Sequence, residues 1–237
     1  MASIMRKTRS KARSQSAPQA PRAAAVAAAA EPKRRMSGPG LAARQALLDA
    51  AHRLLRKKRK SRITLAEVAR SAKVSRGSAY FFYKDIHALY ASLLRLLHQQ
   101  LHDSLKAPIR REVETWQDVF RSLVERIEAY GRKDVAICQL TIGIDMTPSQ
   151  KLADRAADVL LGDIIASQIE RFFELPTLAN RSRTFFHCVE IVDLMLTLSM
   201  LEHNEITSEY VEEGIRTATA YLELYLPRRL PRRKPSV

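Results

Sequence analysis

The chain has 237 residues, of which 46% are apolar and 27% are charged, and its formal net charge is +15. Two cysteines, Cys138 and Cys188, are too few for a disulfide framework or a cysteine-based zinc site. No run approaches the roughly 18 strongly apolar residues of a membrane span, so we expect no contact with a membrane. The seven glycines form no phosphate-binding loop, which argues against a nucleotide-binding α/β fold.

The positive charge is concentrated in the first half of the chain. Residues 1–39 carry a net charge of +8 and residues 40–104 carry +9, whereas residues 105–226 carry −7 and residues 227–237 carry +5. A basic module followed by an acidic one predicts that only the first meets a polyanion such as nucleic acid.

Both ends of the chain have the composition of unfolded segments. Residues 1–39 contain Ser, Ala, Pro and scattered Arg and Lys, which bury too little apolar surface to offset chain entropy. We therefore predict a disordered basic arm over 1–39, with a signal peptide or a mitochondrial presequence as alternatives. Residues 227–237 hold three prolines and five basic residues, so we predict a disordered basic tail.

From Leu41 onward, apolar residues recur at helical spacing and no stretch alternates as a strand does. The sequence therefore predicts an all-α fold. We place nine helices near 41–58, 65–72, 76–83, 86–104, 113–130, 132–145, 149–174, 180–203 and 208–225.

Residues 64–83 carry the clearest functional motif. Thr64 followed by Glu67 forms a capping box, in which each side chain accepts from the other's backbone N–H, and Ser75 is a good N-cap for a third helix. Two short helices joined by about three residues make a helix-turn-helix unit, whose second helix enters the major groove of DNA. We expect Val74 to be buried in the turn. In the aromatic run 80–83 we expect about two buried residues, with position 82 or 83 favoured.

The run TLAEVARSAKVSRGSAYFFYKD, from Thr64 to Asp85, is followed by Ala88, Leu89 and Tyr90. It resembles the TetR-type helix-turn-helix over roughly residues 41–100. This resemblance implies a homodimeric, cytoplasmic bacterial transcription regulator that binds double-stranded DNA and is nucleoid-associated when bound. It also implies a three-helix DNA-binding domain at 40–104 and a helical effector-binding and dimerisation domain at 105–226.

The resemblance assigns DNA contacts position by position. Arg76 and Ser78 match positions that often reach base edges, and Gly77 matches the position where the backbone approaches the duplex. Thr64 and Tyr80 match residues that contact phosphate. We expect these five residues to form the centre of the DNA interface.

Three departures from the family pattern have physical consequences. Lys73 stands where the turn usually has glycine, which predicts a strained or altered turn. Ile86 stands where a phosphate-binding lysine is common, so this contact is lost or moves to Lys84. The cationic run 56–62 replaces a loop that usually contains glycine, and we expect it to contact phosphate; the alternative is a solvated loop.

The acidic half predicts a dimer interface and an effector pocket. The helix at 180–203 is apolar nearly all round and precedes the helix at 208–225, as a four-helix bundle across a two-fold axis requires. The alternative is an internal core helix of a monomer. An unidentified small-molecule effector, lipophilic or aromatic, would lie between the helices, unless the candidates are plain core residues. The candidates are Trp116, Phe120, Cys138, Ile142, Met146 and His187.

No metal site, cofactor site or catalytic constellation is evident in the sequence. His98 and His102 lie four residues apart and so do Asp154 and Asp158, but no further ligand follows, and solvated helix faces are the favoured interpretation. The sequence therefore predicts a non-enzyme: a sequence-specific regulator, in particular a repressor released from a palindromic operator by a small molecule. The alternative is a nucleoid-associated or adaptor-type DNA-binding protein of the same fold without that switch.

Overall fold

The computed structural model describes residues 38–109, 112–141 and 148–234, and in these ranges it has nine α-helices and one short 3₁₀ helix, Lys60–Arg62. These residues belong to one compact unit. The helices are α1 (Gly38–Leu55), α2 (Leu65–Ser71), α3 (Arg76–Phe82), α4 (Ile86–Lys106), α5 (Trp116–Lys133), α6 (Val135–Thr141), α7 (Pro148–Glu170), α8 (Arg181–His203) and α9 (Ser208–Glu223). The predicted all-α class is confirmed. Residues 1–37 of the predicted disordered arm lie outside the described ranges, and the prediction is wrong for residues 38 and 39, which begin α1.

Side-chain caps explain where several helices begin. The Asp85 carboxylate accepts from the backbone N–H of Ala88 at 2.8 Å and opens α4. Thr115 and Asp118 form a reciprocal capping box, so α5 begins at Trp116 instead of near residue 113. The boundary expected between domains at 104 and 105 falls inside α4, and this division stays a prediction.

A continuous apolar core connects the first helices to the rest. Leu47 and Leu55 of α1 are fully buried, as are Val68 of α2 and Ala79 of α3. Helix α4 packs against α1 and also against α5, α6 and α7. Close-packed side chains transmit displacement from one element to the next. Helix α4 has partners on both sides, so it connects the position of the helix-turn-helix to that of the later helices.

Helix α8 packs between α7 and α9. Its most apolar stretch has a mean hydropathy of 1.5 and is long enough to cross a membrane by length and composition alone, so the expectation that no run approaches a membrane span is wrong. The contact between α8 and α7 is close: a Cβ atom added to Gly162 of α7 would lie 2.8 Å from the backbone carbonyl carbon of Phe185. Glycine is therefore required where α7 crosses α8.

The segment after α9 differs from the sequence prediction. Residues 227–237 were expected to form a disordered tail, and this prediction is wrong for residues 227–234. The backbone N–H of Arg233 donates to the carbonyl of Phe172 at 2.9 Å, and the Arg232 guanidinium donates to the carbonyl of Val113 at 2.5 Å. Leu230 is buried. Partners more than 50 residues away hold this segment, and its local composition gives no sign of them. We call residues 227–234 the C-terminal strap.

Candidate nucleic-acid interface

The turn between α2 and α3 is built on a left-handed residue. Lys73 has a φ of 56°, which allows the backbone N–H of Val74 to donate to the carbonyl of Ala69 at 3.0 Å. The strain predicted from the missing glycine is therefore present in the turn. Ala69 is buried and permits the close crossing of α2 and α3, whereas Val74 is only half-buried, so its expected role as a buried plug is wrong.

Ser75 and Ser78 order the start of α3. The Ser75 hydroxyl oxygen accepts from the backbone N–H of Ser78 at 3.1 Å, and its own O–H donates to the Ser78 hydroxyl at 2.8 Å. Arg76 and Gly77 are exposed beside this cap, whereas Ser78 is half-buried. A Cβ atom added to Gly77 would meet nothing within 4 Å, so the fold itself does not require glycine there.

The aromatic run at the end of α3 divides between the core and the solvent. Tyr83 is buried and its hydroxyl accepts from Nε of Arg44 at 3.2 Å, while Phe82 is half-buried against the core. Tyr80 is 49% exposed and Phe81 is 78% exposed. The expectation that Phe82 or Tyr83 is buried is therefore confirmed. The exposure of Phe81 was not predicted. Phe81 lies four residues after the exposed Gly77, and this spacing places both residues on the same side of α3.

Thr64 caps α2 as predicted, but the Glu67 side chain forms an ion pair in place of the predicted bond to the backbone N–H of Thr64. The Thr64 hydroxyl oxygen accepts from the backbone N–H of Glu67 at 3.2 Å. The Glu67 carboxylate pairs with Nζ of Lys58 at 2.6 Å, because the basic loop lies within its reach. Lys84 is exposed and Ile86 is half-buried. Lys84 is therefore available to bind phosphate.

The basic loop, residues 56–62, is anchored from the acidic half of the chain. Nε2 of Gln139 donates to the carbonyls of Leu55 at 2.6 Å and Lys58 at 3.2 Å, and Oε1 accepts from the backbone N–H of Lys60 at 2.8 Å. The Tyr90 hydroxyl donates to the carbonyl of Lys60 at 3.2 Å. These bonds hold the loop backbone while several side chains stay exposed, namely those of Arg56, Lys57, Lys58, Arg59 and Arg62.

A second connection joins the same regions. A ring nitrogen of His52 on α1 lies 2.5 Å from a carboxylate oxygen of Asp134, the residue between α5 and α6. Together with Gln139, this contact attaches α6 to α1 and the basic loop. No local sequence pattern points to either contact, because the partners are about 80 residues apart.

The candidate effector residues do not gather in one pocket. An interior cavity lies between α4, α5, α6, α7 and α8, and Cys138 lines it. Trp116 and Phe120 are fully buried core residues, and Nε1 of Trp116 donates to the carbonyl of Pro227 at 2.9 Å. A ring nitrogen of His187 lies 3.1 Å from the Tyr221 hydroxyl, and His187 is not among the residues that line the cavity. Ile142 and Met146 lie outside the described residues.

The cavity has polar lining residues that were predicted to be solvated. His98 and Asp154 both line the cavity and face each other, with Nε2 of His98 3.5 Å from a carboxylate oxygen of Asp154. Asp158 also lines the cavity, and His102 is buried beside His98. The expectation of solvated helix faces is wrong, because α4 and α7 turn these faces towards each other. Among the described residues no group of three His, Cys, Asp or Glu side chains is arranged to hold a metal ion.

Comparison by sequence gives no match to a protein-family model or to a curated protein. Comparison of structures gives several TetR-family regulators. One from Streptomyces coelicolor is 18% identical, with a TM-score of 0.61 over 78% of this chain and 99% of that one. One from Pectobacterium atrosepticum is 13% identical, with a TM-score of 0.61 over 82% and 100%.

A third structure is that of FadR from Thermus thermophilus, described as a TetR-family transcriptional repressor in complex with lauroyl-CoA. It is 19% identical, with a TM-score of 0.58 over 82% of this chain and 98% of that one. The chain therefore has the fold found in TetR-family transcriptional regulators, which confirms the predicted fold class.

Proposed function

We propose that this chain is a TetR-type transcription regulator that binds a palindromic DNA operator through α3. The observation that carries the proposal is the helix-turn-helix of α2 and α3, with Arg76 and Tyr80 exposed on α3 and a basic loop whose backbone is held by Gln139 and Tyr90. Arginine reads guanine edges in the major groove, and lysine and arginine side chains of a held loop bind phosphate. The exposed Phe81 supplies an apolar surface that suits a thymine methyl group.

We further propose that the protein is a homodimer and that it acts in the cytoplasm. On α8, a stripe of apolar side chains is exposed or half-buried: Ile191, Leu194, Leu198 and Leu201. Leu224 and Tyr225, just after α9, are further exposed apolar side chains. A second copy of the same stripe would cover it across a two-fold axis, and a palindromic operator requires such an axis.

The dimer is tested by sedimentation equilibrium with two matched variants. Leu194 is 51% exposed on α8, and Leu41 is 54% exposed on α1. We expect Leu194→Glu to shift the protein to monomer, because a carboxylate would be buried at the interface. Leu41→Glu adds the same charge away from α8 and should leave the dimer intact. Equal masses for the two variants would contradict the α8 interface.

Helix α6 provides a route from an effector to the DNA-binding helices. Ile137 and Cys138 line the cavity, while Gln139, on the same short helix, holds the basic loop. A molecule that displaces α6 also displaces the loop and α1, and this changes the separation of the two α3 helices in a dimer. We propose that such a ligand releases the operator and that the protein is a repressor.

Selection of bound fragments from random DNA tests the proposal directly. We expect a short palindromic site whose half-sites lie about one helical turn apart. Tyr80→Ala should weaken binding to that site in a fluorescence anisotropy titration, whereas Tyr210→Ala, the same truncation on α9, should leave it unchanged. Uniform protection of any DNA in a footprint would instead indicate the nucleoid-associated alternative.

Gly77 separates an effect on DNA binding from an effect on folding. Because a Cβ atom there has open space, Gly77→Ala should leave the fold intact and raise its stability by up to about 1 kcal/mol. If α3 lies in the major groove, the added methyl group should nevertheless weaken operator binding. Unchanged affinity of the stabilised variant would show that the Gly77 backbone does not approach DNA.

A further inference from the structure

The exposed face of α3 consists of two adjacent rows of residues. Arg76 and Tyr80 form one row, four residues apart, and Gly77 and Phe81 form the other. All four are exposed, whereas Ala79 is fully buried and faces the core. Its seven residues make α3 about 10 Å long, which is less than the major groove's width of about 12 Å. The whole exposed face therefore fits into the groove.

This face carries few side chains that can read bases by hydrogen bonds. Asparagine and glutamine pair with adenine, and aspartate and glutamate accept from cytosine. None of these four residue types is present in α3, whose sequence is RGSAYFF. Ser78 is half-buried, and its hydroxyl oxygen already accepts from the O–H of Ser75 at 2.8 Å. Beyond Arg76 and the hydroxyl of Tyr80, the exposed face therefore offers the bases an apolar surface.

Phe81 supplies this apolar surface in a fixed position. Its side chain is 78% exposed, but one edge of the ring contacts the ring of Phe82, with the centroids 5.4 Å apart and the planes at 76°. Phe82 in turn packs against the core. One turn earlier, a Cβ atom added to Gly77 would meet nothing within 4 Å, so the backbone there can approach a base edge closely. A ring that is held from behind thus lies beside a bare stretch of backbone.

The apolar group that a standard base presents in the major groove is the C5-methyl group of thymine. 5-Methylcytosine carries the same group at the same ring position. We infer that Phe81 determines specificity through contact with the C5-methyl group of a pyrimidine, thymine or 5-methylcytosine, in each half-site. The inference rests on the proposed function, because it names the feature of the operator that α3 reads.

The contribution of one methyl group is large enough to measure. Transfer of a group of this size from water to an apolar surface changes a binding constant about fourfold. A dimer contacts two half-sites, so the two contributions multiply to about 15-fold. A contact between Arg76 and guanine does not depend on the methyl group, and it therefore leaves this ratio unchanged.

Deoxyuridine tests the inference on the unaltered protein, because it differs from thymidine only in lacking the C5-methyl group. In the palindromic operator selected from random DNA, each thymine is replaced in turn in both half-sites. The affinity of the full-length protein is then measured by fluorescence anisotropy at constant salt. We expect one position at which uracil weakens binding about 15-fold. Equal affinities for thymine and uracil at every position, or a selected operator without thymine, would overturn the inference.

A pair of modified operators separates the methyl group from the identity of the base. At the position found with uracil, a cytosine·guanine pair or a 5-methylcytosine·guanine pair replaces thymine·adenine. These two operators differ only in the methyl groups, so we expect the methylated one to bind about 15-fold more tightly. If both bind equally well, the methyl group is not the feature that the protein reads.

Variants of Phe81 identify the side chain that makes the contact. Phe81→Ala should bind the thymine and uracil operators equally, whereas Phe81→Leu keeps an apolar side chain and should retain a preference for thymine. Leu41→Ala truncates another exposed apolar side chain, on α1, and should keep the full ratio. If Phe81→Ala weakens both operators by the same factor, the ring contacts another part of the DNA and the assignment is refuted.

The uracil titration also keeps this inference separate from the proposed function. A protein that selects a palindromic site but does not distinguish thymine from uracil retains the proposed function and loses the inference. A protein with no preferred site contradicts both.

Discussion

Replacing Lys73 with glycine should stabilise the protein, because this residue holds the left-handed turn of the helix-turn-helix. Its φ of 56° costs a residue with a Cβ atom roughly 1–2 kcal/mol, and glycine avoids this cost. Glycine also adds about 0.5–1 kcal/mol of chain entropy to the unfolded state. We therefore expect a net gain of about 0.5–1 kcal/mol in the free energy of unfolding.

Urea denaturation at high salt measures this gain, since salt screens the effect of removing one positive charge. Lys73→Ala is the matched control, because it removes the exposed side chain but keeps the Cβ atom and the strain. Lys73→Gly should also raise the melting temperature by about 1–4 °C over the alanine variant. If the two variants were equally stable, the left-handed conformation of residue 73 would not be a source of strain.

Three further predictions concern stability in the second half of the chain. Because the pKa of Asp158 is raised in the folded state, wild-type protein loses stability as pH rises from 3.8 to about 8. We therefore expect Asp158→Asn to be more stable than wild type at pH 7, by on the order of 4 kcal/mol, and equally stable near pH 3. Thermal melts over this pH range measure the difference. Gly162→Ala should destabilise by about 1–3 kcal/mol in urea, since its Cβ atom meets the backbone of α8; unchanged stability would contradict this crossing. Arg232→Ala should cost about 1–2 kcal/mol in chemical denaturation, while the exposed Arg229→Ala should be neutral.

The parts of the molecule that were predictable from the sequence are those fixed by neighbours along the chain. The caps at Thr64 and Ser75 are formed by residues three positions apart, so their sequence spacing is enough to place the start of α2 and α3. The strain at Lys73 was expected from the family resemblance, because lysine stands where that turn usually has glycine. The burial of Tyr83 follows from helical periodicity, and so does the exposure of Tyr80.

The parts that were not predictable depend on contacts between distant segments. His98 and Asp154 were predicted to be solvated residues on separate helices. They line the cavity because α4 packs against α7. The hydrogen bonds of Gln139 to the basic loop cross about 80 residues. Neither helix alone carries a pattern that specifies its partner, since periodicity identifies an apolar face without identifying what covers it.

The C-terminal strap has a consequence for how the protein is made. Its contacts join Val113 to Arg232 and Trp116 to Pro227, so the start of α5 is closed by a segment that is synthesised more than 110 residues later. The apolar start of α5 therefore stays uncovered during synthesis until the strap has been made. Premature termination in the last turn of α9 would therefore yield a chain that chaperones and proteases treat as incomplete.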